Sequence, residues 1–234
     1  MLRIALACLA LFFAQSMPAQ DAKTAVRSLE RRYHHAGTLK ADFFERFSDG
    51  NGSLAAESGT VYFSRPGRMR WEYESPEQKL FIVDGTNVWF YVPADRTASR
   101  AKLKQSSDWR TPLALLAGNM DLTRLCSAVE LVNPESNPPD NSAFRVASPG
   151  NTLLRCIPRS KSDGAGNVLR EVLLETDSDS HLVRVLLREA GNVETEFRFA
   201  AWQENISIPE AKFHFQPPPG VAIVDEETLA GEIH

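Results

Sequence analysis

A chain of 234 residues, 43% of them hydrophobic, with a formal charge of −4, suits one compact domain with a substantial core, or two small domains at most. The mild acidity argues against nucleic acid, which would call for a basic face or stripe. No polybasic run offers itself to an anionic membrane surface.

The N-terminus differs in kind from the rest. In "MLRIALACLALFFAQSMPAQ" a single positive charge at Arg3 precedes an apolar run from Ile4 to Phe13, followed by small residues at Ala14, Ser16 and Ala19. This is the layout of a secretory signal, and about ten apolar residues are too few to span a bilayer. Residues 1–19 are therefore expected to be cleaved on export, leaving 20–234 as a single domain with two cysteines, Cys126 and Cys156. An oxidising compartment permits a disulfide between them. Two separate buried thiols are the alternative, and the spacing leaves both open.

"DAKTAVRSLERRYHHAG" predicts one amphipathic helix, with Ala22, Ala25, Val26, Leu29 and Tyr33 on one face and Gly37 as its stop. From Leu39 the period changes to two. "LKADFFERF" sets Leu39, Ala41, Phe43 and Phe47 on one side. "ESGTVYF" and "GRMRWEYE" continue the pattern beyond the turn-rich "SDGNGS", with Met69, Trp71 and Tyr73 sharing a face. "KLFIVDGTNVWFYV" predicts a hairpin about Asp84-Gly85, and "ASRAKL" a further strand. "TPLALLAGNMDL" has the proline and cap of a short, wholly apolar helix. Strand-like segments resume at 122–132, 143–148, 152–157, 168–175, 182–188 and 193–202. About eleven antiparallel strands with two brief helices make a sheet wide enough that it must curl or close on itself. Its interior is either filled by its own side chains or left as an apolar hollow beneath the helices.

Groups that do chemistry are scarce. His34 and His35 are adjacent on a helix and point about 100° apart. No His-x3-His or Cys-x2-Cys spacing exists, so neither a metal site nor a cofactor is expected. No G-x-S-x-G elbow is present. The pairs Glu72/Glu74 and Glu194/Glu196 are placed on solvent faces by alternation. Paired glycosidase carboxylates are not bound to any sequence spacing, which keeps an exported hydrolase as a third reading.

Three stretches together resemble the outer-membrane lipoprotein carrier family, the LolA proteins. The first runs from Leu39 to Pro93 and holds aromatic-x-A-x-F-like, R-P, W-x-x-x-x-P and D-G-x-x-hydrophobic-W-hydrophobic-Y-x-P elements. The second is "TPLALLAG". The third is "ETEFRFAAWQENISIPEAKFHFQPPPGVAIVDE". The resemblance implies an incomplete antiparallel β-barrel roofed by short helices around an apolar cavity, and no enzymatic activity. It further implies a monomeric periplasmic shuttle whose partners are acylated lipoproteins, an inner-membrane ABC-type release complex and an outer-membrane acceptor. Periplasmic lipid- or stress-sensing domains share the architecture and supply the alternative function. In the family the arginine of the R-P element holds the lid shut, here Arg65; Arg68 and Arg70 are read as exterior charge. Expected cavity residues are Phe43, Phe47, Met69, Trp71, Phe81, Trp89, Tyr91, Phe197 and Phe199, with Leu113, Leu115 and Leu116 from the lid. Their choice of face rests on alternation, which a one-residue register error inverts. The cysteines are not part of the family pattern, and a bond across the middle of the sheet would limit its opening.

Overall fold

A computed structural model describes residues 21–103, 121–133, 144, 147–159 and 169–225. The signal segment and the apolar stretch holding Leu113, Leu115 and Leu116 lie outside the described residues. Helix α1 spans Ala22–His34. Asp21 caps it by accepting from the Thr24 amide at 2.5 Å, and Arg31, Arg32 and His34 sit in the last turn, where cations oppose the helix dipole. Its apolar stripe of Ala25, Val26, Leu29 and Tyr33 is buried.

Strands follow in the order β1 Thr38–Ser48, β2 Leu54–Ser64, β3 Arg68–Ser75, β4 Lys79–Val83, β5 Asn87–Val92 and β6 Thr97–Lys102. After a short helix, α2 Leu122–Leu125, come β7 Cys126–Leu131, β8 Thr152–Pro158, β9 Leu169–Thr176, β10 Leu182–Glu189, β11 Glu194–Glu204 and β12 Ala222–Asp225. All twelve form one open sheet, ordered β12-β6-β5-β4-β3-β2-β1-β11-β10-β9-β8-β7. Three expectations shift. The segment 122–132 opens as a helical turn. Phe144, Ala147 and Ser148 lie outside any strand. β12 went unpredicted, because four residues pairing in parallel with the distant β6 leave almost no local signal.

Cross-strand partners share a face, so the registers define an inner side and an outer side. On the inner side, Phe43 stands opposite Phe199, Val61 opposite Trp71, Trp71 opposite Phe81, and Phe81 opposite Phe90. These join the stripe of α1 in one buried cluster. The strands approach closely at Gly59, where a Cβ would lie 1.9 Å from the Glu72 carbonyl oxygen. No side chain fits there.

The outer side is also covered. From β11 the chain crosses back over β3 to β5: Arg68 pairs with Glu210, Lys212 with Glu72, and Phe215 packs on Trp89 and Tyr91 at 5.3 and 5.2 Å. Arg68 and Arg70 are thus not free exterior charge. Arg70 bonds Glu72 and the Lys212 carbonyl, and both arginines fasten this crossing. At the other half of the sheet, Phe144 packs with Leu153, Leu173 and Leu186 in a second small core. Beneath it lies a buried ionic network. Glu196, 0% exposed, accepts from Arg46 Nε at 2.6 Å and meets Arg184 at 3.3 Å, while Arg184 reaches Glu175 at 2.6 Å. Glu194 is likewise buried, on Arg188 at 2.9 Å. Both glutamates were expected in solvent. Alternation gave their face correctly, but the segment around Phe144 closes over it, with the Ser148 amide donating to Glu175 at 2.6 Å.

Removing one member of a buried ion group leaves its partners charged and unpaired, at a cost of about 3–5 kcal/mol. Arg184→Met should therefore lower the unfolding free energy in urea by that amount. A loss below about 1 kcal/mol, the range of exposed pairs, would mean the network is solvated.

Candidate functional site

The inner face carries an aromatic floor. Trp71 is surrounded edge-on by Phe43 at 4.8 Å, Phe197 at 5.4 Å and Phe63 at 6.1 Å, with Phe199 at 6.2 Å. Phe199 meets Trp202, which meets Tyr33 of α1 at 5.5 Å. Edge-to-face rings add modestly to the burial term and fix no directional bond to a third group. Toward the far end of β1 the same face turns polar. Glu45, buried, accepts from the Tyr73 hydroxyl at 2.8 Å, and Lys79 pairs with Glu57.

Phe43, Met69, Trp71, Phe81, Phe197 and Phe199 come together in this inner cluster. Phe47 stands on the inner face opposite Thr195 but is 39% exposed, outside the cluster. Trp89 and Tyr91 are a correction. Their strand places Val88 and Phe90 inward, opposite Val83 and Phe81, so both aromatics face outward onto Phe215. In β5 both faces are apolar, and alternation then gives no sign of which one is inner. Inner aromatic residues absent from the expected set include Tyr73, Phe63, Trp202 and Phe90. The first two alternate in step with Trp71 and Val61. Trp202 falls out of step because Ala201, at φ 52°, accompanies a register shift opposite Lys40 and Asp42.

α1 is tied to the sheet in an uneven way. Among the described residues, its hydrogen bonds and ion pairs to other elements all come from Glu30 to His34. Glu30 accepts from the Leu122 amide at 2.8 Å, Arg32 pairs with Glu204 at 2.9 Å and donates to the Asp179 carbonyl at 3.0 Å, and the Tyr33 hydroxyl accepts from the Leu182 amide at 2.8 Å. Burial holds the Tyr33 phenol well above its usual range. Arg65 adds one more tie. Its backbone amide donates to the Gly37 carbonyl at 3.0 Å and its Nη1 donates to the His34 carbonyl at 3.1 Å, at the open end of the helix. Its Nε and Nη2 are buried with no acceptor among the described residues, and this burial lowers its pKa from the ordinary arginine value. An arginine stays charged regardless. Three of its donors are thus held out of water and unspent.

Cys126 and Cys156 are joined, with Cα atoms 5.4 Å apart. The bond lies between β7, the edge strand, and β8, rather than across the middle of the sheet. It fixes the edge next to α1 and α2 and leaves the central strands uncrossed.

An open, mainly antiparallel sheet with an aromatic inner face, joined by a helix whose described polar ties lie at one end, defines a class of binding fold. Among the described residues no cluster of His, Cys, Asp and Glu suits a metal ion, and no helix is long and apolar enough to cross a membrane. The family model described as "Outer membrane lipoprotein carrier protein LolA" matches residues 34–138. A protein of Nitrosospira multiformis named outer-membrane lipoprotein carrier protein is 28% identical over 222 residues, covering 94% of this chain and 97% of its own. One of the same name from Methylococcus capsulatus is 29% identical over 213 residues, covering 89% and 92%. The chain thus resembles these carriers along nearly its whole length. In structure it is similar to an uncharacterized conserved protein from Thermus thermophilus, with a TM-score of 0.53 and 12% identity, over 87% of this chain and 98% of that one. That likeness concerns the fold alone.

The bond from Arg65 to the His34 carbonyl has a charged donor and is worth about 1.5–3 kcal/mol at most. Arg65→Leu should raise amide hydrogen exchange in the last turn of α1 by about tenfold or more. Exchange at the wild-type rate would mean that Arg65 does not hold the helix.

Proposed function

We propose that this protein is a periplasmic carrier that takes lipoproteins from an inner-membrane ABC-type release complex, shields their acyl chains on its inner face, and delivers them to an outer-membrane acceptor. Residues 1–19 serve as the export signal, and the carrier works as a monomer without a cofactor. The observation that carries this reading is the aromatic inner layer, which shares one buried cluster with a helix whose polar ties, among the described residues, all lie toward its C-terminal end. Its support from relatives is the carrier name borne by proteins similar over nearly the full length.

The energetics suit transport. Each methylene withdrawn from water contributes about 0.8 kcal/mol, so long chains supply a large drive for loading. Rings of Phe43, Trp71, Phe197 and Phe199 attract hydrocarbon without dictating a pose. Release requires that the cover yield, and the cover is fastened by a handful of bonds worth about 1 kcal/mol each. In this reading Arg65 is the latch. Its side chain reaches from the turn after β2 to the His34 carbonyl at the end of α1, favouring the closed state without locking it. Phe43, Met69, Trp71, Phe81, Phe197 and Phe199 are the residues that, in this reading, receive the acyl chains, with Leu113, Leu115 and Leu116 as lid residues.

Native mass spectrometry of the purified protein mixed with a triacylated lipoprotein, and with the same protein lacking acylation, tests the reading. A one-to-one complex with the acylated form alone is expected. Equal binding of both forms would identify a polypeptide-binding module and overturn the carrier.

A further inference from the structure

Among the described residues three tryptophans are seen, and they differ in one respect. Trp202 donates its indole N–H to the Leu182 carbonyl at 2.8 Å. Trp89 donates to the Asp84 carboxylate at 3.3 Å. Trp71, 0% exposed, donates to nothing among the described residues. A buried N–H without an acceptor is costly and uncommon in native proteins, and each case asks for an explanation.

Among the described residues, the rings packed on it supply no strong acceptor. Phe43, Phe63, Phe197 and Phe199 present rings, which are weak acceptors at best. The nearest hydroxyl on the same strand face, that of Tyr73, is directed to Glu45. If filling the floor were the whole task, phenylalanine at 71 would do it without an orphan donor.

The chemistry of a fitting acceptor is narrow. It must be neutral, because Phe43, Phe63, Phe197 and Phe199 offer a charged group no compensation for lost hydration. It must also arrive flanked by hydrocarbon. Resting on the carrier reading, we propose that the Trp71 indole N–H donates to the carbonyl oxygen of a fatty-acyl ester or amide, so that the inner face distinguishes acylated cargo from plain hydrocarbon chains. Phosphate and free carboxylate are disfavoured by their charge. A carbonyl at the head of an acyl chain satisfies the donor while its tail lies on the rings.

The test compares two probes that differ only in that carbonyl: 1-myristoylglycerol, an ester, and 1-O-tetradecylglycerol, its ether. Binding of each to the full-length mature protein is measured by calorimetry. The wild type should prefer the ester by about three- to tenfold, as one neutral hydrogen bond gives. Trp71→Phe should bind both probes as the wild type binds the ether. In the wild type, moreover, the Trp71 indole proton should shift downfield in nitrogen–proton spectra with the ester and not with the ether, a readout that needs no variant. Equal affinity of the wild type for both probes, or a preference that survives Trp71→Phe, overturns this inference alone. Failure of both probes to bind at all overturns the carrier reading together with it.

Discussion

A twelve-stranded sheet that does not close must have its inner face covered by something other than sheet, and here that cover includes a helix whose apolar stripe joins the inner-face cluster, with Tyr33 against Trp202, while its polar ties among the described residues crowd into one end. The arrangement depends on the contrast between these two kinds of contact. Burial of Leu29, Tyr33 and their neighbours is strong but without direction, so hydrocarbon of another origin can take its place. The ties from Glu30, Arg32, Tyr33 and Arg65 are directional and individually weak, so in the proposed carrier they would set where the helix returns without making its departure costly.

The two faces of the sheet differ in how they are fastened. The outer face is held by charges taken out of water, Glu196 between Arg46 and Arg184, with Glu175 beyond. Disrupting such a group exposes unpaired charge to a dry interior. The strap from Glu210 to Phe215 adds further ion pairs there. On the inner face the described contacts of the floor are mainly rings against rings. On the proposed carrier reading, it is the side joined by dispersion that opens. The disulfide is consistent with that division, since it secures the edge strand and leaves the central strands free of any cross-link.

How much of this was legible in the sequence depended on whether a strand buries one face or two. β1 and β3 alternate cleanly, and Phe43, Met69 and Trp71 were placed correctly from their spacing. β5 buries both faces, and there Trp89 and Tyr91 were assigned to the wrong side. The glutamates of β11 were given the right face but the wrong environment. The described residues that cover them, Phe144 and Ser148, come tens of residues earlier in the chain and lie outside any strand, where no period marks them. The helix α1 was legible from its stripe and its stop. The particular carbonyl that Arg65 meets was not, because it depends on where β2 ends relative to α1. Nor was the orphan state of the Trp71 indole, which is a property of everything packed around it.

The central claim is that acyl chains lie on the inner face and not on the outer one. Two single-tryptophan proteins, one keeping only Trp71 and the other only Trp89, would each be loaded with a lipopeptide whose acyl chains carry bromine, a contact quencher of indole fluorescence. Strong quenching of Trp71 with Trp89 left bright is the predicted result. Quenching of Trp89 with Trp71 unaffected would place the chains against the outer face and contradict the account.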